Sequence, residues 1–171
     1  MKTFPVLFLA ALVLSPPAEA RSTRRAESCD GLTARMIRAT GASLAGREGS
    51  LSVFRAWDAD RMTLACRAPA RMTFWSQNRE PAGAYFVLIG LAAEGLVGAR
   101  AEEVEALART LHHRALVTGM PQAGRAGRAA LRCETGGSAT AEPAGVHCVL
   151  VSHRTPVLRR RAGLFPGREP V

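Results

Sequence analysis

LRCETGGSATAEPAGVHCVLVSHR, residues 131–154, holds two cysteines, two histidines and a loop containing Gly and Pro. It reads as half of a metal site, as part of a catalytic centre, or as a hairpin stapled by a disulfide. Structural zinc sites draw their ligands from compact pairs such as C-x2-C or H-x3-H, and the chain has no such pair. His147 adjoins Cys148, so on a strand it faces the opposite side. His147 and His153 share a face, but the intervening strand holds them roughly 20 Å apart. Neither a metal site nor a cofactor is expected.

The staple follows from compartment and parity. The N-terminus, MKTFPVLFLAALVLSPPAEA, carries Lys2, an apolar run from Phe4 to Leu14, and the small-x-small element Ala18-Glu19-Ala20. That is the layout of a secretory signal, and the run falls short of the roughly 20 apolar residues that span a bilayer. Residues 1–20 are therefore expected to be removed, leaving an exported chain, periplasmic or secreted, with no transmembrane span. Export places thiols in oxidising surroundings, and the cysteines number four, an even count that permits three connectivities. Cys133 and Cys148 fall on the face shared with Leu131 and Leu150, so a bond between them is geometrically reasonable. Cys29 is then left with Cys66, joining the first helix to a strand. Each bond is expected to contribute about 3–4 kcal/mol by loop closure.

Charge is concentrated at the ends. The chain carries a formal net charge of +9, yet residues 29–153 hold 14 Arg against 11 Asp and Glu. The basic lead, residues 21–28, adds +2 and the tail, residues 154–171, adds +4. Lys is nearly absent while Ala and Arg abound, as in a GC-rich bacterial coding sequence rather than as a mark of Arg-specific chemistry.

Ser28 is placed to cap a helix from about Cys29 to Thr40, with Asp30 in its first turn and Gly41 at its end. Short strands follow near Leu44, at Leu51–Val53 and at Met62–Cys66, with hairpin turns at Arg47–Gly49 and Asp58–Asp60. Residues 67–81, RAPARMTFWSQNREP, read as a long connection. Pro81 opens a second helix, about Ala82 to Leu96, apolar almost all round as a buried helix is. Tyr85–Ile89 also fits a buried strand, and the Ala/Leu continuation favours the helix. Val104, Leu107, Ala108, Leu111 and Ala115 form the stripe of a third helix, with acids early, His112, His113 and Arg114 late, and Gly119 and Pro121 ending it. A Gly/Arg-rich link leads to strands at Ala129–Glu134 and Val146–His153. The tail has no usable periodicity and reads as disordered. The expected architecture is a single α+β domain over 29–153. About three helices pack on an antiparallel sheet of four to five strands, stapled by two disulfides.

Catalytic signatures are weak. No G-x-S-x-G occurs, and Gly136-Gly137-Ser138-Ala139-Thr140 lacks the final glycine of that elbow. The cysteines are committed to sulfur bonds. His112 and His113 point about 100° apart on a helix, unlike the stacked pair of H-E-x-x-H. Asp58 and Asp60 suit a turn better than acid–base work. No catalytic residue is nominated.

Binding features are weak but not absent. Arg71, Phe74, Trp75 and Arg79 on the 67–81 connection are the residue types of a recognition surface. The plainer alternative tucks Phe74 and Trp75 over a sheet edge. Arg159, Arg160 and Arg161, beside Leu158, Leu164 and Phe165, suit weak contact with an anionic polymer or lipid headgroups. Few aromatics and no basic stripe argue against a dedicated nucleic-acid fold. The sequence thus points to an exported binding or structural module whose partner is an unknown protein or envelope component. A small hydrolase or hydrolase inhibitor is the rival reading, and electrostatic attachment to envelope polymers a third.

Overall fold

The first helix forms where its capping residues predict. In the computed structural model α1 spans Cys29–Thr40, and the Ser28 hydroxyl accepts a hydrogen bond from the Gly31 N–H at 3.1 Å. Gly41 closes it at φ +68°, a left-handed conformation that glycine adopts without a Cβ clash, and its N–H donates to the Ile37 carbonyl. The structure describes residues 28–136 and 145–153. The segment read as a signal (1–20), nearly all of the basic lead, Ser138 and its neighbours, and the tail with Arg159, Arg160 and Arg161 lie outside the described residues.

A meander follows: β1 (Ser43–Glu48), β2 (Leu51–Ala56), β3 (Ala59–Ala65) and β4 (Arg71–Ser76). Two-residue turns at Gly49–Ser50 and Trp57–Asp58 sit between the closing pairs Glu48↔Leu51 and Ala56↔Ala59. Helices α2 (Gly83–Val97) and α3 (Ala101–Thr118) then carry the chain across the back. A second meander, β5 (Gln122–Ala126), β6 (Ala129–Gly136) and β7 (Gly145–Ser152), returns from the far edge until β7 pairs with β4. The result is one antiparallel sheet of seven strands, ordered β1-β2-β3-β4-β7-β6-β5.

Two segments correct the sequence expectation. Residues 67–81 are not a single connection, because β4 within them is the central strand of the seven. Its inner side chains Met72, Phe74 and Ser76 alternate with Thr73 and Trp75. Trp75, apolar on the outer side, blurs the apolar–polar contrast that normally announces a strand. The Gly/Arg-rich link is likewise a strand, β5, at the sheet edge. Gly124 in it lets α3 approach closely: a Cβ there would lie 2.8 Å from a Leu107 methyl. These strands raise the count above the four to five expected.

The helices cover one face only. Phe54, Met62, Leu64, Met72, Phe74 and Leu150 from the sheet meet Met36, Ile89, Val104 and Leu111 from the helices in one buried cluster. The all-round apolarity of α2 is explained by its place between α1, α3 and the sheet. Gly90 and Gly95 give it room, since a Cβ at Gly90 would meet the Ala101 carbonyl oxygen at 2.5 Å and one at Gly95 a Met36 methyl at 2.6 Å. The helix reading of residues 82–96 therefore holds over the strand alternative.

Both expected sulfur bridges are present. Cys133 and Cys148 stand directly opposite one another on β6 and β7, both fully buried on the helix side. Cys29, the first residue of α1, joins Cys66 just past β3. No cysteine is free. Among the described residues no helix is long and apolar enough to cross a membrane.

Candidate functional site

Alternation along each strand sends every second side chain away from the helices. On that face, which no described helix covers, register builds three rows across the sheet. One runs Arg61, Trp75, His147, Glu134; the next Gly46, Val53, Thr63, Thr73, Val149, Arg132, Ala123; the third Glu48, Leu51, Ala65, Arg71, Val151, Ala130, Arg125. Val53, Thr63, Thr73, Trp75, His147, Val149 and Val151 are half-buried, so they lie level with their neighbours rather than projecting.

Two hollows lie side by side here. The first, about 540 Å³, is bounded by Leu51, Val53, Arg61, Thr63, Thr73, Trp75 and His147, with Asp60 at its rim. The second, about 760 Å³, is bounded by, among others, Arg71, Arg125, Arg132, Glu134, Val149 and Val151. Both fall in the range of small-ligand sites, about 300–1,000 Å³.

The electrostatics are uneven. Arg132 reaches the Glu134 carboxylate at 3.1 Å, and His147 Nδ1 lies 3.2 Å from its other oxygen. Partial burial works to raise the Glu134 pKa, but the His147 and Arg132 hydrogen bonds outweigh it and hold the carboxyl below its ordinary value. Asp60 accepts the Gln77 N–H at 2.7 Å. Arg61, Arg71 and Arg125 have no ion-pair partner among the described residues. Among the described residues the face therefore presents three guanidinium groups without an ion pair, around an indole and a band of Thr and Val, with the carboxylates of Glu134 and, at the β1 edge, Glu48 on the same side.

The residues nominated from sequence divide. Arg71 and Trp75 both lie on the uncovered face. Phe74 does not: it points into the core, fully buried, because neighbouring strand positions face opposite ways. Arg79 follows β4, and its carbonyl accepts a hydrogen bond from His112 Nε2 at 2.7 Å. His112 is thereby buried against Phe86, with ring centroids 5.2 Å apart, while His113 is exposed. Asp58 sits in a turn. Arg61, Thr63, Thr73, His147 and Arg125 were missed. Period-two patterning around residues 71–76 was the available signal, but only strand register shows that these residues share one surface.

Trp57 completes the picture. It sits fully exposed in the turn between β2 and β3, at the Trp75 end of the sheet. Both tryptophans of the chain thus lie outside the core, although indole is among the most profitable groups to bury.

The His147–Glu134 contact matches the base and orienting carboxylate of a hydrolytic triad, whose third member is a nucleophile hydrogen-bonded to the remaining ring nitrogen. Among the described residues no hydroxyl or thiol makes that contact, nor do three or more His, Cys, Asp or Glu side chains gather to hold a metal ion. No family model, no curated protein and no solved structure matches the chain.

Proposed function

We propose that the chain is an exported, non-catalytic binding module of the bacterial envelope or periplasm, and that the uncovered face of its sheet is the binding surface. The observation carrying this reading is Arg61, Arg71 and Arg125, without an ion pair among the described residues, around half-exposed Trp75, on a sheet whose other face alone is covered by the described helices. Unpaired guanidinium groups and a surface indole contribute little to folding but are the residue types that dominate recognition. The signal-like N-terminus and the pairing of all four cysteines support export.

The test is retention of the full chain on immobilised envelope material. Reversing two charges, R71E with R125E, is expected to weaken retention at least about tenfold, the scale of losing one charge-assisted hydrogen bond. Neutralising Arg159, Arg160 and Arg161 to Ala is expected to change it by less than about threefold, since screened end charges contribute weakly. The opposite ranking would move the binding surface to the tail.

A further inference from the structure

Resting on that reading, the chemistry of the face narrows the ligand, and we propose that it is an acidic polysaccharide. Its carboxylates sit on Arg61, Arg71 and Arg125, and a sugar ring lies against Trp75. Sign comes first. Guanidinium groups with no ion pair among the described residues outnumber the carboxylates Glu134 and Glu48 on the face and call for an anion, and Arg matches carboxylates by paired N–H donors. The chain's own residues 154–171, with five Arg against one Glu, carry the same sign as the face and so do not supply the anion it calls for.

Shape and polarity come next. Thr63 and Thr73 stand directly opposite each other at the centre of the face. They offer hydroxyl donors and acceptors between the indole and Arg71. The hollows of about 540 and 760 Å³ share this surface, and the sheet measures about 29 Å from edge strand to edge strand at roughly 4.8 Å per strand. That length suits an extended chain of several sugars rather than a single small molecule. A pyranose ring has a C–H face to lay on an indole, and hydroxyls to exchange with threonines.

The competing polyanions fit less well. A bilayer is entered by several projecting apolar groups, whereas of the Leu and Val side chains in the three rows only Leu51 is exposed, and Val53, Val149 and Val151 lie level with the sheet between longer arginines. Single-stranded nucleic acid is held by aromatic platforms under successive bases, and the face supplies one indole and one imidazole.

The experiment uses the full chain carrying Trp57→Phe, which leaves Trp75 as its sole tryptophan fluorophore. Polygalacturonate is titrated near physiological salt, against fully methyl-esterified polygalacturonate, oligothymidylate and phosphatidylglycerol vesicles. A saturable change in Trp75 emission is expected with polygalacturonate, and binding at least about tenfold weaker to the ester, which lacks the charge. R61A with R71A should weaken binding about tenfold without touching the core, and W75A, followed by calorimetry, by a similar factor. Neutralising Arg159, Arg160 and Arg161 should cost less than about threefold. Equal binding of the ester, tighter binding of oligothymidylate or vesicles, or indifference to R61A with R71A would overturn the assignment. Retention on envelope material without any response to polygalacturonate would overturn the glycan while leaving the face as binding surface. Loss of neither on charge reversal would overturn both.

Discussion

The Tyr85 hydroxyl donates to the Phe74 carbonyl at 3.2 Å, fixing α2 to the backbone of the central strand inside the core. Burial, with the Asp60 charge adding to it, raises the phenol well above its ordinary pKa of 10.0. The fold therefore holds this proton more tightly than the unfolded chain does, so stability is fully present below pH 10 and falls as pH rises beyond it. Tyr85→Phe is expected to cost about 1 kcal/mol at neutral pH and to flatten the alkaline loss, as urea unfolding at several pH values will show. Equal alkaline loss in both proteins would contradict the burial. Trp57, fully exposed in its turn, is expected to tolerate Ala within about 0.5 kcal/mol by the same measurement.

Among the elements, legibility followed how local the signal was. The Ser28 cap, the Gly41 and Gly119 ends and the stripe of α3 are written within a few residues of each other, and the structure reproduces them. The staple of β6 to β7 was also local, since Cys133 and Cys148 repeat the inward positions of Leu131 and Leu150. Strand β4 was hidden because Trp75 faces outward where a polar residue is normally found. Strand β5 was hidden because an edge strand backed by α3 can be built from Gly, Ala and Arg. The join between the two meanders is the least forgiving point. Gly145 has φ +147° there, and a Cβ on it would lie 2.1 Å from the Ser76 carbonyl oxygen. Gly145→Ala is expected to destabilise by at least about 2 kcal/mol through strain and separation of β4 from β7, read as a drop in thermal midpoint. The sulfur bridges should also part company. Cys133 and Cys148 are fully buried whereas Cys29 and Cys66 are half-buried, and exchange depends on thiolate access. Mild reduction followed by alkylation and mass spectrometry is expected to label Cys29 and Cys66 first; labelling of Cys133 and Cys148 first would contradict that placement.

Across the described residues the sheet has one face packed by helices and the other bare of them. Arg71 and Trp75 were legible as recognition types, but their company was not. Arg61, His147 and Arg125 come from β3, β7 and β5, and only the register of the full sheet gathers them. A residue's facing is local, whereas a surface is a property of long-range pairing. The most direct test of the account is amide chemical-shift mapping on the isotopically labelled full chain during a polygalacturonate titration. Perturbations centred on Val53, Thr63, Thr73, Trp75, Val149 and Val151, with the helices silent, are what the account predicts. Shifts confined to residues 154–171 or to the helix layer would contradict it.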